Sequence, residues 1–355
     1  MMKSRQNILT PVLLFVALVL IVACAWGSGR IAAAGYVNNN IVPDPALRAA
    51  ICDELGISPS DLDAAQLEKV TSLTDWYAGI TDLSGLEYCV NLEYLNLDYN
   101  NIRDLSPLFS LCRLHTLSVA RNDIGDLSPL FVMTSLTGLR LPYNRISDLL
   151  PLASLDNLVA LDISGNKIED LSPLTALGSL KYLEVCDNKI RDISPLVYLG
   201  NLEHLNISEN YIEDLSPLKA CVALETLHCR HNLVTDISPL ADLKVLDTLY
   251  LDYNRIADIS PLAGNTALRC IFMDANQISD ISVLARLDNL AIAGLEDNLV
   301  RDISPLLENS WLVDCNRAPQ LYLYGNPLDM ASLKTVISRL EGGGIRVFLG
   351  DDLFY

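Results

Sequence analysis

Apolar residues recur along most of this chain in a frame set by asparagine. Asn100, Asn122, Asn144, Asn166, Asn188, Asn210, Asn232, Asn254, Asn276 and Asn298 follow at intervals of 22 residues, and Asn326 comes 28 after the last. With asparagine as zero, apolar side chains stand at −8, −5, −3, +2, +5, +8 and mostly +11; in the first full repeat these are Leu92, Leu95, Leu97, Ile102, Leu105, Leu108 and Leu111. A register this strict means a solenoid, in which each unit covers its neighbour's apolar face. The −5/−3 alternation predicts one short strand per unit, and stacked strands make a parallel sheet advancing about 4.8 Å per repeat. A buried amide offers two donors and an acceptor, so the asparagine column is expected to satisfy the backbone of adjacent turns and needs no catalytic role.

Downstream of the asparagine the chain repeats Asp-[Ile/Leu]-Ser-Pro-Leu. Aspartate holds +4 in eleven units: Asp82, Asp104, Asp126, Asp148, Asp170, Asp192, Asp214, Asp236, Asp258, Asp280 and Asp302. Ser then Pro is a helix-start signature, with serine as N-cap and proline at the first helical position. The aspartate two residues earlier can accept backbone N–H groups in an Asx-type turn. A calcium ladder is disfavoured. Carboxylates about 4.8 Å apart repel by about 0.9 kcal/mol in water, which one cap-type bond of about 1 kcal/mol offsets. One carboxylate per turn also falls short of the converging oxygens calcium needs. In the first unit Ala78 replaces the asparagine and Gly85 the proline, which marks a transition from a cap.

The whole pattern, L-x-x-L-x-L-x-x-N-x-I-x-D-[IL]-S-P-L, resembles the internalin-like class of bacterial leucine-rich repeats over about residues 41 to 350. The resemblance implies an α/β solenoid: a leucine-rich repeat horseshoe with a parallel concave sheet, short helical turns on the convex side, a helical N-terminal cap and a helix-strand C-terminal cap. Asp44 and Pro45 open a helix expected to end near Gly56, and a second is expected around Ser58 to Asp61. At the other end a helix from Met330 to Leu340 is followed by a strand at Ile345 to Leu349. The expected divisions are a signal peptide at 1–23, a tether at 24–40, the N-terminal cap at 41–69, the repeats at 70–326 and the C-terminal cap at 327–355.

The first residues point to export. Lys3 and Arg5 precede an apolar run from Ile8 to Val22, as in a secretory signal peptide. Ile21-Val22-Ala23-Cys24 resembles the bacterial lipobox, which implies a lipid on Cys24 and attachment to the membrane. Plain cleavage near Ala25, giving a secreted protein, and an uncleaved signal anchor are the alternatives. Of nine cysteines, Cys89, Cys221 and Cys229 occupy leucine columns and read as small buried hydrophobes; Cys52 with Cys89 is a conceivable disulfide.

A formal charge of −19 disfavours nucleic acid, which needs a basic face. The columns at −6, −4, −2, −1 and +1 face solvent, so packing does not dictate them. Ten of the 14 tyrosines fall there: Tyr77, Tyr94, Tyr99, Tyr143, Tyr182, Tyr211, Tyr250, Tyr253, Tyr322 and Tyr324. Phe272, Arg121, Arg140, Arg145, Arg230, Arg255 and acids such as Glu184 share them. Tyrosine and arginine are enriched at binding hot spots. The candidate ligand-binding set is therefore Tyr94, Tyr99, Arg140, Tyr143, Arg145, Tyr182, Glu184, Arg230, Tyr250, Tyr253, Phe272, Tyr322 and Tyr324, densest at Tyr94/Tyr99 and Tyr250/Tyr253/Phe272. The competing explanation is that neighbouring rings stack to stiffen the sheet.

His204, His228 and His231 lie on adjacent repeats beside Arg230, but in different columns and with no obvious carboxylate or cysteine to complete a metal set. No nucleophile–base pair and no glycine-rich phosphate loop occurs, so neither an enzyme nor a cofactor is expected. The expected partner is a protein on the concave face. A glycan on the same groove, or lateral assembly in the envelope through the lengthened last unit with Trp311, are the alternatives.

Overall fold

The structure, a computed structural model, describes residues 41–308, 320–342 and 345–349. The expected signal peptide and tether, Cys24, Trp311 and Cys315 lie outside the described residues. The chain divides into two compact units, one up to Leu158 and one from Val159.

The first unit runs α1 (Pro45–Leu55), a 3₁₀ turn (Pro59–Asp61), α2 (Ala64–Leu67), then β1 (Ser72–Thr74), β2 (Tyr94–Asn96), β3 (Thr116–Ser118) and β4 (Gly138–Arg140). The second holds β5 (Ala160–Asp162), β6 (Tyr182–Glu184), β7 (His204–Asn206), β8 (Thr226–His228), β9 (Thr248–Tyr250), β10 (Cys270–Phe272), β11 (Ile292–Gly294), β12 (Gln320–Tyr322), α3 (Met330–Gly342) and β13 (Arg346–Phe348). Within each unit neighbouring strands pair in parallel and the −5 residues align, as in Leu95↔Leu117 and Leu227↔Leu249. This is the leucine-rich repeat solenoid that the 22-residue frame predicts. Leu92, Leu95, Leu97, Ile102, Leu108 and Leu111 are fully buried, and the same columns are buried in later repeats. Among the described residues no helix is long and apolar enough to cross a membrane.

The asparagine column does what its chemistry allows. Asn122 Oδ1 accepts the Ile102 N–H of the preceding repeat (2.9 Å), while Nδ2 donates to Leu97 O (3.0 Å) and Val119 O (3.1 Å). Asn188 and Asn210 repeat this with Val185 and Ile207. A second asparagine column was not anticipated: Asn91, Asn157, Asn201 and Asn289 each donate to a carbonyl about one repeat back, at 2.7–2.9 Å. Asn265 takes a leucine position, fully buried, and donates to Leu240 O and Leu243 O.

The return turns correct one expectation. They are 3₁₀ helices of three to five residues that begin at the serine in most repeats and at Leu86 and Leu150 in two, and the serine side chain does not cap them. The aspartate does. Asp170 Oδ1 accepts the Ser172 N–H (2.7 Å) and Oδ2 accepts the Ser172 hydroxyl (2.8 Å). Hydrogen bonds from the following serine hold Asp104, Asp214, Asp258 and Asp302 below the ordinary aspartate pKa.

Helix α1 starts where Asp44 and Pro45 predict. Asp44 Oδ1 accepts Ala46 N–H (2.9 Å) and Leu47 N–H (3.1 Å), and Gly56 closes the helix at φ 63°. Asp44 Oδ2 also accepts the N–H groups of Thr81 and Asp82, tying the helix to the first strand's turn. The helix expected around Ser58 is only a 3₁₀ turn, followed by α2 with Asp63 as its cap. Gly85 explains its missing proline: its φ is +106°, and a Cβ there would lie 2.7 Å from Ile41 O and Val42 Cγ2. Cys89, Cys221 and Cys229 are buried thiols, pushed by burial up to about 12, 11 and 12. Cys52 and Cys89 are both free.

Candidate functional site

Each strand turns its −5 residue inward and its −6 and −4 residues to the open face. Three residues after the strand, the −1 residue takes the left-handed backbone. This holds for Tyr77, Tyr99, Arg121 and Tyr143 in the first unit, and for Asp187, Glu209, His231, Tyr253, Ala275 and Asp297 in the second, with φ between 51° and 58°. Only Gly165 and Gly325 fill that column with glycine. The conformation lets the −1 N–H reach the next repeat, as Tyr99 N does to Ala120 O (2.8 Å). It costs a residue with a Cβ about 1 kcal/mol, so most repeats keep a side chain where glycine would be less strained.

In the first unit this column is a stack. The Tyr77 and Tyr99 rings lie 4.3 Å apart, and the Arg121 guanidinium sits 5.4 Å from the Tyr99 centroid and 4.1 Å from that of Tyr143. Tyr99 is 40% and Tyr143 45% exposed. The sequence frame puts these four in one column, but only the geometry joins them into one stack. Tyr94 on β2 and Arg140 on β4 stand exposed in other columns, so the expected Tyr94/Tyr99 patch resolves into two. Arg145 pairs with Asp123 (2.5 Å), which Arg103 also reaches (3.2 Å). Such exposed pairs contribute little.

In the second unit the rings stand on strands. His228 and Tyr250 stack at 4.3 Å, and Tyr250 and Phe272 at 4.7 Å with planes 4° apart. Arg230 lies 4.2 Å from the Tyr250 centroid, and its Nε is 2.5 Å from Asp252 Oδ2. Tyr253 does not join Tyr250; it stacks on His231 at 4.2 Å in the turn column. Tyr182 is exposed, 6.4 Å from His204. Tyr322 stacks on Phe348 at 4.6 Å and donates its hydroxyl to Gln320 Oε1, while Tyr324 is exposed.

Glu184 supplies the carboxylate that the sequence columns did not place beside a histidine. The −4 position of one repeat meets the −6 position of the next diagonally, so Glu184 Oε1 lies 2.6 Å from His204 Nε2 and Oε2 accepts from Asn206 (2.7 Å). Burial raises the Glu184 pKa, but these two hydrogen bonds and the histidine charges outweigh it and hold the carboxyl below its ordinary value. His228 is held below the ordinary histidine value, first by burial and then by His204. Among the described residues no three His, Cys, Asp or Glu side chains converge as metal ligands.

Stacked half-buried rings and exposed turn rings thus coexist. Tyr250 and Phe272 are half-buried between neighbours, as stiffening requires. Tyr99, Tyr143 and Tyr253 are exposed on turns, covered mainly by their neighbours in the same column.

The family model for leucine-rich repeats (two copies) matches residues 90–132, 134–176, 178–220, 222–264 and 244–308. Among solved structures, an internalin (inlF) of Listeria monocytogenes is 34% identical, with a TM-score of 0.81, over 88% of this chain and 92% of that one. Internalin C2 (inlC2) of the same organism is 34% identical, with a TM-score of 0.54, over 66% of this chain and 95% of that one. The plant peptide hormone receptor RGFR1, solved in complex with RGF2, shares the fold at 19% identity and a TM-score of 0.64, over 80% of this chain and 48% of that one. A search of the curated proteins found no match.

Proposed function

Because this chain belongs to the leucine-rich repeat family, in its internalin-like bacterial class, we propose that it is an exported protein that binds another protein through the open face of its strands. In this reading a lipid on Cys24 tethers it to the membrane, and residues 24–40 lift the repeats off the surface. The observation that carries the binding role is the row of exposed aromatic and guanidinium groups on strained turns. Neither the core nor the sheet ladder requires side chains there, and glycine would cost less strain. Tyrosine gives such a surface large contact area with few rotatable bonds.

The test is capture of a partner from extracellular protein extracts by the exported chain. Alanine at Tyr99, Tyr143 and Tyr253 together should weaken capture by about tenfold or more, with the thermal midpoint lowered by only about 2–4 °C. Unchanged capture would sink the reading. Retention on protein-free glycans, lost in the same variant, would redirect it to carbohydrate. Fatty-acid labelling of the native chain and not of Cys24→Ala tests the anchor.

A further inference from the structure

In the first unit one cation is held between rings and left without an anion. Arg121 stands exposed in the left-handed column, with Tyr99 one repeat before it and Tyr143 one repeat after. Its guanidinium lies 4.1 Å from the Tyr143 centroid and 5.4 Å from that of Tyr99. The backbone fixes this order: the Tyr99 N–H donates to Ala120 O and the Arg121 N–H to Pro142 O, both at 2.8 Å. Rings on both sides restrict an arginine side chain that would otherwise sample many rotamers.

The carboxylates of the neighbouring columns are already engaged. Asp123 Oδ2 accepts from Arg103 Nε (3.3 Å) and Nη2 (3.2 Å), and its Oδ1 accepts from Arg145 Nη2 (2.5 Å). Asp98 turns its Oδ1 to the Ser118 hydroxyl and the Ala120 N–H, both at 2.7 Å. Arg103 and Arg145 thus divide one carboxylate between them, and among the described residues no acceptor pairs with the Arg121 guanidinium. The second unit supplies the contrast. Arg230 has both a ring, Tyr250, under its guanidinium and a carboxylate, Asp252, at its Nε. Arg121 keeps the rings and lacks the anion.

We propose that Arg121, clamped between Tyr99 and Tyr143, receives a glutamate or aspartate side chain of the protein partner, with Arg103 and Arg145 drawing the same acidic segment to that edge. The inference rests on the reading of the repeats as protein-binding. The planar fork of arginine meets a carboxylate with two parallel donors, and rings can cover its faces while its edge keeps those donors. An ordinary exposed ion pair contributes little, because both side chains must be ordered to make it. Here the rings have already ordered one of them, so less freedom is lost on binding. A peptide segment suits this edge better than an anionic bilayer does. The attraction of the arginines acts within a screening length of about 8 Å, whereas a bilayer would also face the rest of a chain with a net charge of −19.

The test is an NMR titration of the whole chain, read at the arginine side-chain Nε–H signals, with acetyl-Glu-Glu-Glu-amide and with its neutral counterpart acetyl-Gln-Gln-Gln-amide. The glutamate peptide should bind at about millimolar concentration and shift the Arg121 signal, and the glutamine peptide should bind about tenfold more weakly. Arg121→Gln should weaken the glutamate peptide by about tenfold, and Arg121→Lys, which keeps the charge and loses the fork, by about threefold. Arg255→Gln, the same change at an exposed arginine of the second unit, should leave it unchanged. Equal binding of the two peptides, no binding, or equal losses in Arg121→Gln and Arg255→Gln would overturn the proposal. The protein-binding reading would still stand if Tyr99, Tyr143 and Tyr253 proved necessary for capture. Glutamate-peptide binding with partner capture indifferent to Arg121→Gln would overturn it too, since the clamp would then not serve the partner. Arg121-dependent sedimentation with phosphatidylglycerol vesicles, in place of peptide binding, would move the site to the membrane and overturn the assignment to a protein.

Discussion

The two ring stacks are built on different backbone. In the first unit Tyr77, Tyr99, Arg121 and Tyr143 stand on left-handed turns, exposed, each against about 1 kcal/mol of local strain. In the second, His228, Tyr250 and Phe272 stand on extended strands, half-buried, with the Asp252 side chain only 7% exposed beneath Arg230. The turn column displays side chains at a cost to the fold. The strand column stabilises the sheet while displaying them. Position within the repeat, rather than residue type, decides which of the two a tyrosine does.

The charged partners should differ most. Arg230→Ala leaves Asp252 buried without its cation and removes a guanidinium from Tyr250, and should cost about 2–3 kcal/mol in urea denaturation. Arg145→Ala, losing one exposed pair with Asp123, should cost less than about 0.5 kcal/mol. Similar losses would erase the contrast. Ring truncation comes next: Tyr250→Ala or Phe272→Ala should cost about 2 kcal/mol, against about 0.5 kcal/mol for Tyr99→Ala or Tyr143→Ala.

A reversal of sign sharpens the backbone half of the comparison. Tyr143→Gly should be more stable than Tyr143→Ala by about 0.5–1 kcal/mol, because glycine relieves the left-handed turn. Tyr250→Gly should be less stable than Tyr250→Ala by a similar amount, since a strand gains nothing from that freedom. The same sign in both columns would refute it.

The smallest effect is the pH dependence that Asp274 and His228 give the strand column. Asp274 has a folded pKa of about 7, above the ordinary aspartate value, so its stabilising contribution is present in acid and is lost as pH rises towards 7. His228, held below its ordinary value, acts oppositely as pH falls through the histidine range. Comparing thermal midpoints of the native chain and Asp274→Asn isolates the aspartate. The variant should gain on the native chain between pH 5 and pH 7, and parallel curves would count against a half-buried Asp274 crowded by the charges of Asp252 and Glu296.

Much of this was legible in the 22-residue frame. The asparagine, leucine and isoleucine columns each answer to one physical demand, satisfaction of buried backbone or exclusion of water, so Asn122 or Leu95 could be placed from spacing alone. The frame also put Tyr250 and Phe272 on adjacent strands. The left-handed column could not be read, because Tyr, Arg, Glu and His occupy it where glycine would have announced it; Gly165 and Gly325 are the faint signal. Contacts that cross columns were equally hidden. Glu184 with His204 and Arg230 over Tyr250 join different columns of neighbouring repeats, and a one-dimensional frame carries no diagonal distances. Ser-Pro, a common helix start, points to serine as the cap, whereas aspartate, with two acceptor oxygens, takes both the serine N–H and its hydroxyl.

Photo-cross-linking tests the central claim most directly. A benzophenone amino acid at Tyr99, Tyr143 or Tyr253 stands on the left-handed turn column, whereas at Tyr198, still more open to solvent, it stands on a return turn. Mixed with extracellular protein extract, the left-handed-column probes should yield a discrete protein adduct that the Tyr198 probe does not. Adducts from Tyr198 alone, or equally from all four positions, would contradict binding through the open face of the strands.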